Sequence, residues 1–91
     1  MKPTWNEFKA LVERHPWRIY MFKMTDGYLL LGGNATVAAR VLSVPTIQVE
    51  LDGTRVKGLL ISTGEFGAVV GELKRNLFGI TVEVIEDELS A

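Results

Sequence analysis

The side chains best suited to chemistry in this chain are cations set among apolar residues: Lys23, Arg55 and Lys57. On a strand, alternation places Arg55 and Lys57 on one face, the arrangement needed to meet successive phosphates. The same alternation fits a solvated sheet face, with Gln48 and Glu50 across a hairpin as pairing partners. Lys74-Arg75 fall near the end of a helix and suit its dipole better than a binding patch. His15, the only histidine, sits beside Glu13 and Arg14 and reads as a charge partner for a helix end. With no cysteine and one histidine, a metal site lacks convergent ligands. No carboxylate pair or Ser-His-Asp set stands out by spacing for acid–base or nucleophilic work. Ser62-Thr63-Gly64-Glu65 reads as helix capping, and Gly32-Gly33-Asn34 lacks the lysine and spacing of a phosphate loop. The expectation is a protein that is not an enzyme and uses no metal or cofactor.

Those residues need elements to hold them. Thr4 and Glu7 form a Thr-x-x-Glu capping box, and Trp5, Phe8, Leu11 and Val12 then recur at helical spacing. Pro16 stops that helix. Trp17 to Met24 is aromatic and β-branched and reads as a strand, Asp26-Gly27 as a tight turn, and Tyr28 to Leu31 as its antiparallel return. Gly32-Gly33 ends the return, and Asn34 is the expected N-cap of a helix from Ala35 to about Leu42, closed by Pro45. Thr46 to Leu51 alternates, Asp52-Gly53 is a second hairpin turn, and Arg55 to Ile61 is the return strand. Val56, Leu59, Leu60 and Ile61 predict burial on both faces near its end. Ser62 or Thr63 caps a third helix with Phe66, Val69, Val70, Leu73 and Leu77 on one side; Gly79 is its left-handed terminator. Ile80 to Ile85 alternates as a last strand. The order α-β-β-α-β-β-α-β predicts a small α/β (α+β) domain, a mixed five-stranded sheet with helices packed on it.

Ninety-one residues make one domain, 1–91, and 47% hydrophobic with 23% charged residues is ordinary for a globular chain. No apolar run approaches the roughly 20 residues that span a bilayer, and the start lacks the apolar core of a secretion signal, so the expectation is a cytoplasmic protein without a membrane partner. Net charge is −1, but Glu83, Glu86, Asp87 and Glu88 concentrate acid in the stretch 83–91 without a base. That end reads as a solvated terminus whose last residues are disordered, and the remainder is mildly basic. Met1 and the polar end suggest a complete small protein.

From Pro16 to Val44 the chain reads PWRIYMFKMTDGYLLLGGNATVAARVLSV. A strand from Ile19 to Met24, a turn region Met24-Thr25-Asp26-Gly27-Tyr28-Leu29-Leu30-Leu31 and a helix holding Ala38-Ala39-Arg40-Val41-Leu42 together resemble the N-terminal, mismatch-recognition domain of the MutS family of DNA mismatch repair proteins. That family carries Met-Gly-Asp-Phe-Tyr-Glu-Leu-Phe at the turn and an Ala-Ala/Ser-Arg-x-Leu helix after it. The resemblance implies a small mixed sheet surrounded by helices and a hairpin tip, here Asp26, Gly27 and Tyr28, directed at DNA. It also marks two departures. The family's wedge aromatic falls at Gly27, and its base-reading glutamate falls at Leu29. The family's Gly-Ile-Pro-x-His signature is likewise absent at Leu59-Leu60-Ile61-Ser62-Thr63-Gly64. The function expected on this basis is weak, salt-sensitive binding to the DNA backbone through Lys23, Arg55 and Lys57, without mismatch readout. The alternative is a protein-interaction or oligomerisation domain that uses uncovered strand edges, with Tyr28–Leu31 and the final strand as candidates. Trp5 and Trp17 are core or interface anchors in either case.

Overall fold

The elements run α1 (Trp5–Arg14), β1 (Arg18–Lys23), β2 (Gly27–Leu31), α2 (Gly33–Leu42), β3 (Ile47–Leu51), β4 (Thr54–Ser62), α3 (Phe66–Asn76) and β5 (Thr81–Ile85). A single 3-10 turn, Thr63–Glu65, leads into α3. The computed structural model describes residues 5–51 and 53–86. Thr4 of the capping box, Asp52 of the second turn and the acidic residues from Asp87 onward lie outside the described residues.

The strands form one five-stranded sheet in the order β3-β4-β2-β1-β5. It is mixed: β1 and β5 run parallel, and the other neighbours are antiparallel. Helices α2 and α3 cover one face, where Ala35, Ala38, Val69 and Leu73 pack on Ile19, Met21, Leu30, Leu59 and Ile61. On the opposite face Phe8 of α1 packs with Tyr20, Phe22, Leu31, Leu51 and Val56. Strand β1 sends Ile19 and Met21 one way and Tyr20 and Phe22 the other, all buried. That is why it reads in sequence as an unbroken apolar run instead of an alternation. On the α1 side Phe8 meets Phe22 at a ring-centroid distance of 4.8 Å and Tyr20 at 5.8 Å, both edge-on.

Several expectations change once the strands are ordered. The Tyr28–Leu31 strand was a candidate free edge; β2 instead lies inside the sheet, paired to β4 on one side and β1 on the other. Among the described residues the free edges are β3 and β5. Leu60, expected to be buried, is 57% exposed. It points to the α1 side, opposite Leu59 and Ile61, and α1 does not cover that end of β4. Asn34 does not cap α2. The helix starts at Gly33 with Gly32 as its N-cap, and no side chain makes the cap bond.

Asn34 has a different task. β1 and β2 pair only at Phe22↔Leu29 and Lys23↔Tyr28. Nearer the start of β1, the Tyr20 N–H has no strand partner and donates to Asn34 Oδ1 at 2.8 Å. A buried amide thus replaces a piece of the missing ladder, which satisfies a donor that would otherwise be buried unpaired. Gly32 makes this approach possible: its φ of 62° with ψ of −130° is glycine territory. A Cβ there would also lie 2.8 Å from Trp5 Cη2. The α2 helix ends before Pro45, at Ser43, which takes the left-handed conformation. Ser62, expected as a cap of α3, precedes the 3-10 turn and donates its hydroxyl to Glu65 Oε1 at 2.6 Å. Gly79 has the expected positive φ but sits in the Leu77–Ile80 turn beyond the helix, where Ile80 N–H bonds Leu77 O.

Candidate functional site

The first hairpin tip holds Asp26, Gly27 and Tyr28, which the sequence resemblance singled out as candidate DNA contacts. Met24 N–H bonds Gly27 O at 2.7 Å, which closes the turn around Thr25 and Asp26. Asp26 is exposed, and its carbonyl accepts from Thr63 N–H. The tip is thereby tied to the 3-10 turn. Gly27 closes the turn but is not one of its two central residues. It is the first residue of β2, buried, paired with Ser62, and its φ is not positive. A Cβ at this position would fall 2.2 Å from the Ile61 carbonyl oxygen. Glycine is present because the β4 backbone lies where a side chain would start, so no larger side chain can stand here without moving β4. Tyr28 faces the α3 layer, half-buried, with its ring 4.2 Å from that of Phe66. Leu29 points the other way and packs in the α1 layer.

The cations divide into two places. Arg55 and Lys57 are both exposed and share a face of β4, about 7 Å apart at strand rise. Their parity matches Leu59 and Ile61, so they lie on the α2/α3 side, where the helix layer leaves them open. Across the hairpin Lys57 registers with Gln48 and Arg55 with Glu50. Among the described residues neither cation forms an ion pair; the recorded pairs are Arg18–Glu83 at 3.8 Å and Arg75–Glu72. Lys23 does not join them. It registers with Tyr28, which registers with Ile61, four residues along β4 from Lys57 and six from Arg55, and so about 13 and about 20 Å away along the strand direction. Lys74 and Arg75 lie at the end of α3, as expected for a dipole interaction.

The remaining features are modest. A cleft of about 210 Å³ lies between α1 and the start of α2, floored by Trp5, Phe8, Val12, Leu31 and Gly33, with Lys9 and Glu13 at its sides. It is smaller than the roughly 300 Å³ at which small-molecule sites begin. His15 is half-buried, edge-on to Trp17 at 6.3 Å. Trp17 is 56% exposed and Phe78 fully so. Among the described residues no three histidine, aspartate or glutamate side chains gather as metal ligands, and no helix is long and apolar enough to cross a membrane. Two features escaped sequence reasoning: the close approach at Gly27 and the strand-bridging Asn34. Both depend on contacts between distant segments; only the glycine at the mouth of an apolar strand hinted at the first. No known family model matches the chain, and no curated protein matches it either.

Proposed function

We propose that this chain is a non-enzymatic binding domain that associates weakly with the phosphate backbone of duplex DNA, without reading mismatches. One observation supports it above the others: Arg55 and Lys57 are adjacent on one open strand face and have no ion-pair partner among the described residues. Cations so placed meet backbone phosphates and carry no sequence information. The blocked position at Gly27 removes the wedge, and the buried direction of Leu29 removes the base-reading contact. Lys23 acts, in this reading, as a separate contact about 13 to 20 Å along the strand direction from the pair and not as part of one patch.

Fluorescence anisotropy with a labelled duplex tests it. Two phosphate contacts give a loss of affinity of about 12-fold between about 50 and 200 mM salt, and a third contact at Lys23 raises that to about 40-fold. Arg55→Glu with Lys57→Glu is expected to abolish binding at low salt. A single mismatch is expected to change nothing. Mismatch preference, or binding indifferent to salt, would refute the proposal.

A further inference from the structure

Among the described residues the sheet ends in two strands that each have a partner on one side only, and their sequences treat that exposure differently. An edge strand presents a row of free backbone donors and acceptors, which proteins blunt with charge when pairing is to be avoided. Strand β5 is blunted. Glu83 lies at its centre, engaged with Arg18 at 3.8 Å, and Glu86 follows directly. Two β5 strands brought together antiparallel about that centre would set Glu83 against Glu83, with further acid at both ends.

Strand β3 carries one charge, Glu50, and it lies off the strand centre, so antiparallel self-pairing does not set it against itself. Ile47–Leu51 contains no lysine, arginine or proline, and all five residues pair with β4 in an unbroken register, so no bulge turns the edge away. Its pattern is also complementary to itself. Antiparallel pairing centred on Val49 sets Val49 on Val49, Ile47 on Leu51, and Gln48 on Glu50. The apolar residues share the α1 side, where Ile47 is 49% exposed and Val49 half-buried. Gln48 and Glu50 share the other face, where an amide N–H of one copy can donate to the carboxylate of the other. No like charges meet.

We propose that β3 is a self-association edge: two copies of this chain pair β3 to β3 about a two-fold axis at Val49, joining their five-stranded sheets into one. The proposal stands apart from the DNA reading and needs no nucleic acid. A five-residue ladder with a few apolar side chains falls below the roughly 1,200 Å² of a stable interface, so the dimer is weak and depends on concentration.

Sedimentation velocity from about 10 µM to about 1 mM, without DNA, is the test; the mass is expected to climb from 10.1 kDa towards twice that value. Gln48→Glu faces Lys57 within its own hairpin, so it leaves the monomer intact, yet it creates two like-charge pairs across the axis. It is expected to weaken dimerisation by about 2- to 30-fold. Gln48→Lys creates two opposite-charge pairs instead and is expected to tighten the dimer by a similar factor; it also sets a lysine opposite Lys57 in its own hairpin, a cost shared by monomer and dimer, and circular dichroism confirms that both variants fold. A mass fixed at 10.1 kDa throughout overturns the proposal. So does a dimer whose affinity is unmoved, or moved in the same direction, by the two substitutions.

Discussion

Replacing Gly27 by alanine adds one methyl group, and the structure sets where it must go. The new Cβ falls 2.2 Å from Ile61 O, 3.1 Å from Ile61 C and 3.2 Å from Ser62 Cα. An ordinary carbon–oxygen approach is about 3.3–3.6 Å, so the β4 backbone must retreat by roughly 1 Å. The atoms in the way are main chain, so no rotamer change relieves the clash. Overpacking of this kind costs about 1–3 kcal/mol, and loosening the Gly27↔Ser62 end of the ladder adds about 1 kcal/mol for a weakened hydrogen bond. The expected loss is about 2–4 kcal/mol. For a domain of this size that lowers Tm by roughly 10–25 °C. A stability of about 5–14 kcal/mol leaves the variant folded enough to measure. Urea denaturation followed by circular dichroism is the assay, with Gly71→Ala as the reference. A Cβ at Gly71 meets nothing within 4 Å in the middle of α3, so that change is expected to stabilise by up to about 1 kcal/mol. Gly27→Ala within about 0.5 kcal/mol of the parent would refute the reasoning, since surface-like tolerance means β4 is not where a side chain at 27 must stand.

Other consequences follow from the polar groups in the core. Asn34→Ala leaves the Tyr20 N–H buried without its acceptor and is expected to lose about 1–3 kcal/mol in the same denaturation assay. Asn34→Asp keeps the acceptor and should not reproduce an orphaned donor at Tyr20, which amide hydrogen exchange at that residue can check. The Tyr20 hydroxyl is buried and makes no hydrogen bond among the described residues. Tyr20→Phe is therefore expected to be neutral or stabilising by up to about 1 kcal/mol, against the usual destabilisation of a core substitution.

Much of the fold was legible because its elements are locally written. The apolar spacing Phe66, Val69, Val70, Leu73 and Leu77 placed α3, and the alternation around Val49 and Val82 placed the two strands that prove to be the edges. Element order and the mixed five-stranded sheet follow from such patterns. Strand order does not, because periodicity says which face is apolar and nothing about which neighbour lies alongside. That is why Tyr28–Leu31 read as a free edge although β4 and β1 enclose it. Leu60 read as buried for a related reason: its own strand is central, and only the position of α1 leaves that face open. Asn34 has the residue type of an N-cap, so local rules assigned it one, and the bond from Tyr20 fourteen residues away outweighed them. At the candidate site, alternation correctly put Arg55 and Lys57 on one face. It could not show that Lys23 lies about 13 to 20 Å from them along the strand direction. Gly27 carries the same lesson: Asp-Gly signals a turn, while the need for glycine comes from the Ile61 carbonyl.

The most direct test of the proposed function is anisotropy of a labelled duplex, matched and singly mismatched, titrated at about 50 and about 200 mM salt with the parent chain and with Arg55→Glu/Lys57→Glu. Equal binding of the two duplexes, a loss of about 12- to 40-fold across that salt range, and no binding by the double variant are expected. No binding by the parent at the lower salt, or undiminished binding by the double variant, would contradict it.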